Sequence, residues 1–180
     1  MKREKLRLLF LLVFVLISAF LIAGDAFASS FFGVSVTGSK DKDDPNEAQL
    51  TQLKKAAKQG DVKAQNKLGD VYYYGRAVTQ NYATMIYWYQ KAAEQGYARA
   101  QDNLANAYYL GRGVPQNYAT ADYWWKEAAK QGDENAQVYL GDAYYNGQGV
   151  PKNDATADYW LKKAAAQGDY IAKFQLAHGY

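Results

Sequence analysis

The chain has 180 residues, 49% of them hydrophobic, with 17 tyrosines, four tryptophans, one histidine and no cysteine. That composition suits a folded chain with a core, excludes a disulfide framework or a thiolate metal site, and leaves little from which to build a histidine metal site or a Ser-His triad. The formal net charge is +3, but residues 1–28 hold four of the 21 basic and two of the 18 acidic residues. The remainder stands at +1 and lacks the basic stripe that a nucleic-acid partner requires.

In chain order, Lys2, Arg3, Lys5 and Arg7 form a basic head before an apolar run from Leu8 to Ala23, and Ala26-Phe27-Ala28 supplies a small-x-small cleavage pattern. Residues 1–28 therefore read as a signal peptide cut near Ala28, which makes the mature chain periplasmic or secreted. The alternative is a retained inner-membrane anchor, although the apolar run is shorter than the ~20 residues of a span. With no cysteine after it, a lipoprotein anchor is excluded. Residues 29–43, SSFFGVSVTGSKDKD, have no period and read as a flexible leader. At Asp44-Pro45-Asn46-Glu47 a helix begins, with Asp44 expected as its cap and Glu47 in the capping-box position.

Beyond this point the chain repeats every 36 residues: Trp88, Trp124 and Trp160 coincide, as do Leu68, Leu104, Leu140 and Leu176, and Gln-Gly at 59, 95, 131 and 167. A fixed period in this range marks stacked supersecondary units. In the middle copy, helix A is predicted over 98–110 and helix B over 118–131, each from apolar residues at helical spacing. The glycines and Pro115 break the chain between them, and Asn117 is placed to cap helix B. The expected array is a half repeat at 44–60, three full repeats at about 61–96, 97–132 and 133–168, and a half repeat at 169–180. Helix pairs this short cannot bury their faces alone, so neighbouring pairs must stack.

The pattern Ala-Gln-x-x-Leu-Gly-x-x-Tyr-Tyr-x-Gly-x-Gly-Val-Pro-x-Asn, then Ala-x-x-Trp, then Ala-Ala-x-Gln-Gly, resembles the Sel1-like repeat family. The likeness covers residues 45–180, and the first copy departs from it at Ala77 and Thr79. It implies an all-α fold, a right-handed α/α superhelical solenoid of the tetratricopeptide-like type, and use as an adaptor for other proteins in the cell envelope. Some cysteine-rich relatives carry a β-lactamase label. This chain has neither cysteine nor a Ser-x-x-Lys motif, so the label does not transfer.

Gly75, Gly111, Gly113, Gly147 and Gly149 recur between helices A and B, without the strand and lysine of a phosphate loop, and are read as structural turns. Trp88, Trp124 and Trp160 recur in phase with the alanines of helix B and are read as core packing. Asp70, Asn106 and Asp142 form a row across successive copies, too widely spaced for a shared proton. His178 has no nucleophile beside it in the pattern. No catalytic, metal or cofactor site is expected.

Positions identical in every copy, such as Gln65/Gln101/Gln137, are those the fold can use. Positions that change are Lys67/Asn103/Tyr139, Val71/Ala107/Ala143 and Tyr74/Leu110/Asn146. With the Asp70 row they fall at i, i+3, i+4 and i+7 on one helix face, expected to be the concave surface that binds a protein or peptide. A glycan-binding envelope protein is the alternative function, and an envelope hydrolase the weakest. Phe174, Leu176 and Tyr180 belong to a last helix without its stacking partner, which leaves apolar surface open for self-association or marks a shortened member of the family.

Overall fold

The computed structural model describes residues 45–178; the signal and leader expectations, Asp44 and Tyr180 lie outside the described residues. Eight helices and no strand are found among them: α1 Glu47–Lys58, α2 Val62–Tyr74, α3 Tyr82–Glu94, α4 Ala98–Leu110, α5 Tyr118–Lys130, α6 Glu134–Asn146, α7 Asp154–Gln167 and α8 Tyr170–His178. Helices A are α2, α4, α6 and α8, and helices B are α1, α3, α5 and α7. The main packing is between consecutive helices, as an all-α repeat solenoid requires. None of the described helices is long and apolar enough to cross a membrane.

Close packing follows from alanine. Ala92, Ala93 and Ala100 in one repeat junction, and Ala128, Ala129 and Ala136 in the next, are at most 1% exposed, so helix axes approach with only methyl groups between them. Leu68, Leu104 and Leu140 fill the space under each helix A, each burial contributing about 2 kcal/mol of transfer free energy. On helix B a large, deeply buried side chain stands one residue beyond the recurring tryptophan: Tyr89, Trp125 and Leu161 are 4%, 1% and 0% exposed. Trp88 and Trp124 are half-buried and Trp160 is buried. They wedge backwards across repeat junctions, Trp88 against the α1–α2 cluster that includes Leu50 and Leu68, and Trp124 against the α3–α4 cluster that includes Met85 and Leu104.

The invariant glutamines join the repeats. Buried Gln65, Gln101 and Gln137 each donate through Nε2 to a carbonyl near the end of the preceding helix B, those of Ala57, Ala93 and Ala129, at 3.1 Å. Each also accepts through Oε1 from Gln95, Gln131 or Gln167, at 2.7–2.9 Å, which lie at the end of the following helix B. These helix-end carbonyls already accept from the turn N–H of Gly60, Gly96 and Gly132, and the glutamine gives each a second partner from the next repeat.

The A–B turns follow one design. Gly75, Gly111 and Gly147 end helices A in the left-handed region, and Asn81, Asn117 and Asn153 cap helices B by accepting from Thr84, Thr120 and Thr156 N–H. The second glycine has an additional reason. A Cβ on Gly113 would lie 2.8 Å from the Tyr82 carbonyl oxygen at the start of α3, and one on Gly149 would lie 2.8 Å from the Tyr118 oxygen. In the first copy Ala77 takes the same left-handed conformation at φ 57. The residue 31 positions before it, the counterpart of Tyr82 and Tyr118, is Asn46, which precedes α1 rather than lying within it. The turn therefore keeps its geometry with a methyl group, at the cost of backbone strain.

One boundary moves. The cap of α1 is Asn46, not Asp44: Asn46 Oδ1 accepts from Gln49 N–H and Gln49 Oε1 accepts from Asn46 N–H, at 2.9 and 3.0 Å. The reciprocal pair needs an amide three residues after the cap, which Gln49 provides for position 46. At the far end, α8 leaves Tyr170, Ile171 and Phe174 more than half exposed.

Candidate functional site

The face proposed from sequence divides once the helices are packed. Tyr74, Leu110 and Tyr139 are 58%, 48% and 41% exposed, Lys67 and Asn146 are exposed, and Asp70, Asn103, Asn106 and Asp142 are half-buried. Val71, Ala107 and Ala143 are buried, at 3–5% exposure, and are not a contact row. They stand three residues after Leu68, Leu104 and Leu140, so they continue the leucine face into the core. Ala107 reaches a partner only as part of a floor.

That floor belongs to a cavity of about 430 Å³ among α2, α4 and α6. Met85, Tyr89 and Ala107 lie beneath it; Asp70, Tyr73 and Tyr74 come from α2, Asn103, Asn106 and Leu110 from α4, and Tyr139 from α6. Three arginines also line it: Arg76 and Arg112, each just after a helix-ending glycine, and Arg99 from the first turn of α4. Seven of the twelve face positions named from sequence meet here, while Lys67, Val71, Asp142, Ala143 and Asn146 do not line it. The arginines were missed because two of them occupy a turn whose neighbours read as purely structural. The signal was their recurrence: Arg76, Arg112 and Gln148 share one repeat position, and Lys63, Arg99 and Asn135 another.

The lining is held by the core behind it. Tyr89 Oη donates to Asp70 Oδ1 at 2.7 Å. Burial raises the Asp70 carboxyl above the usual range, against the hydrogen bond from Tyr89 and the charges of Arg99, Arg76 and Lys67. Trp125 Nε1 donates to Asp102 Oδ1 at 3.1 Å, and the Trp125 ring stacks on Tyr139 with centroids 5.0 Å apart. Asp102 is pushed up to about 7 by burial and by Asp133, offset by bonds from Trp125 and Asn106. The Arg112 guanidinium lies 5.4 Å over the Tyr73 ring and donates to Tyr73 Oη, and Arg76 lies 4.5 Å over Tyr74.

Asp70, Asn106 and Asp142 do not converge. Asn106 Nδ2 donates to Asp102, and Asp142 accepts from Gln175 Nε2 at 2.7 Å while burial raises its carboxyl. His178 stacks on Phe174 at the exposed end of α8. Among the described residues no group of three or more His, Cys, Asp or Glu could hold a metal. Tyr87, Tyr123 and Tyr159, each edge-on to the following tryptophan, form an exposed series on helices B.

Comparison with known proteins agrees with this architecture. The family model described as Sel1 repeat matches residues 53–61, 62–97, 98–133 and 135–169. Among solved structures, a Sel1 repeat protein from Oxalobacter formigenes is 41% identical with a TM-score of 0.67, over 71% of this chain and 96% of that one. A protective antigen of uropathogenic Escherichia coli strains displaying an SLR fold is 39% identical with a TM-score of 0.70; the alignment covers 71% of this chain but only 27% of the antigen. Helicobacter pylori cysteine rich protein B is 25% identical with a TM-score of 0.55, over 68% and 92% of the two chains. No curated protein matches the sequence. With the 36-residue unit, its turn glycines and its glutamine joints all in place, the chain belongs to the Sel1 repeat family, whose fold is generally a non-catalytic scaffold for protein–protein contacts.

Proposed function

We propose that this chain is an exported, non-enzymatic adaptor of the cell envelope that holds a partner polypeptide across helices A. One observation carries the reading: seven of the twelve positions of the varying face meet around one cavity spanning three helices A. Residues needed by the fold recur in all copies, so variation concentrated at a hollow is what selective recognition requires. Export rests on the basic head, apolar run and Ala-x-Ala of residues 1–28.

The test is in-cell photocrosslinking with a photoreactive residue at Tyr74, Leu110 or Tyr139, and a control in residues 29–43. One protein captured from the three face positions and not from the control supports the adaptor reading. Equal capture from face and control, or none from the face, refutes it. A glycan-binding reading draws on the exposed Tyr87, Tyr123 and Tyr159 series, and envelope glycan adducts obtained from those positions would favour it. Self-association draws on Tyr170, Ile171 and Phe174; a monomer mass by light scattering at all concentrations refutes it.

A further inference from the structure

The polar groups around the cavity are spent mainly on one another. Arg99 acts electrostatically on both Asp70 and Asp102, and Arg112 donates to Tyr73 Oη. Arg76 also acts on Asp70 and has a further interaction of its own. The charges are answered inside the protein, so a charged ligand finds no unmet opposite.

The bonds that hold the amides also orient them. Asn66 Nδ2 donates to Asp70 Oδ2 at 3.4 Å, and Asn103 Nδ2 donates to Asn66 Oδ1 at 3.0 Å. An ionised carboxylate only accepts, so this relay runs in one direction. Asn106 Nδ2 donates to the Asp102 main-chain oxygen at 3.0 Å, and a carbonyl likewise only accepts. Both nitrogens are committed, and the end that each amide has left is its oxygen. Neither Asn103 Oδ1 nor Asn106 Oδ1 accepts a hydrogen bond among the described residues. The two residues stand one turn apart on α4, about 5–6 Å between Cβ atoms. Donors remain beside them: Arg99 makes no hydrogen bond among the described residues, and Arg112 keeps all but one of its N–H groups. Neutral acceptors beside free donors match the main chain of an extended segment, whose alternate N–H groups lie about 7 Å apart along one edge. Leu110 and the stacked Tyr139 add exposed apolar surface within the same hollow.

Resting on the adaptor reading, we propose that this cavity grips the main chain of an extended, uncharged polypeptide segment. Asn103 Oδ1 and Asn106 Oδ1 accept from N–H groups of alternate partner residues, and Arg99 and Arg112 donate to partner carbonyls. An apolar side chain of the same segment covers Leu110 and Tyr139. Asp70 and Asp102 act behind the site as anchors that turn the two amide oxygens outward.

The test is fluorescence anisotropy of the purified protein with a rhodamine-labelled, C-terminally amidated peptide alternating serine with leucine and tyrosine. Beside it run the same peptide N-methylated at every second residue, in either phase, and its glutamate-for-serine and lysine-for-serine counterparts. The uncharged peptide is expected to bind with an affinity that changes less than about twofold as salt is raised to about 0.3 M, and the charged counterparts bind no more tightly. N-methylation in one phase removes the N–H donors that the asparagines take and loses about tenfold, while the other phase keeps most of the affinity. Asn103→Leu and Asn106→Leu each lose about fivefold or more, whereas Asn146→Leu on α6, outside the cavity, keeps wild-type affinity. Melting curves identify a variant that has lost its fold, and the methylated peptides test the same contact from the ligand's side against the unaltered protein. No binding of the uncharged peptide, or equal loss in both methylation phases, overturns the proposal. Tighter, salt-sensitive binding of a charged counterpart overturns it as well, since the charges are then not answered inside the protein. So does displacement of the peptide by chito-oligosaccharide, which makes the ligand a glycan. If crosslinking from Leu110 captures a protein while these peptides fail, the adaptor reading stands and the main-chain site falls.

Discussion

Substituting Asp122→Asn removes one ionisable carboxyl from α5 with almost no change of size. Asp122 is 4% exposed, and its Oδ2 is buried with no hydrogen-bond partner among the described residues. Burial pushes its carboxyl from 3.8 up to about 7. Because the folded value is raised, the folded state holds the proton more tightly than the unfolded chain between those limits. Stability is therefore highest at the acid end of that window, falls as pH rises through it, and carries the full penalty above pH 7. A displacement of about three units at ~1.4 kcal/mol each sets an upper bound of about 4 kcal/mol at pH 8. The asparagine amide still lacks a partner in the same place, which costs about 1–3 kcal/mol. The variant should therefore gain about 2 kcal/mol at pH 8 and nothing at pH 5, where the native carboxyl is already mostly protonated. Urea unfolding followed by helical circular dichroism at both pH values measures this directly. Asp102 titrates in both proteins, so the difference between them isolates Asp122. A difference that is the same at pH 5 and pH 8 would refute the reasoning. The first copy supplies precedent, since the equivalent position holds buried Ile86.

Ala77→Gly relieves a left-handed residue at φ 57 and should stabilise by about 1 kcal/mol, whereas Gly113→Ala adds strain and a contact with the Tyr82 backbone and should cost more than about 3 kcal/mol; thermal melts of the two rank them. Gln101→Ala removes two hydrogen bonds, one to the Ala93 carbonyl, which keeps its bond from Gly96 N–H, and one from Gln131, and should cost about 2 kcal/mol, with Gln131→Ala costing about 1 because only the second of these is lost; equal losses in urea titrations contradict this. Gly69→Ala places a Cβ 2.4 Å from the Tyr89 ring, so about 1–3 kcal/mol is lost, and amide exchange in α2 should quicken.

Much of the fold could be read because repetition turns one inference into three. The bounds of helix A in the middle copy came out at Ala98–Leu110, as the apolar spacing requires, and Asn81, Asn117 and Asn153 all cap. The same logic failed for Val71, Ala107 and Ala143. These vary because valine and alanine both fit a close helix approach, so variation there reports tolerance rather than exposure. The arginines escaped for the opposite reason. Arg76, Arg99 and Arg112 are scattered along the sequence and meet only after two repeats stack. The buried carboxyls of Asp102 and Asp122 were equally hidden, since on a helical wheel each sits at the border of the polar face. Only the neighbouring helix closes over them.

The glutamine joints bear on how such a chain can change length. Each 36-residue block carries a glutamine on helix A that bonds backwards to the preceding helix B and another at the end of helix B that bonds to it, and the backward target is a main-chain carbonyl that any block presents. A duplicated block therefore arrives with its couplings already made, and a deleted block leaves ends that still fit each other. Lengthening or shortening the array needs no compensating substitution at the seams. Recombination between the near-identical turns could thus extend the binding face or move the arginine-bearing blocks along it, while every junction stayed chemically the same.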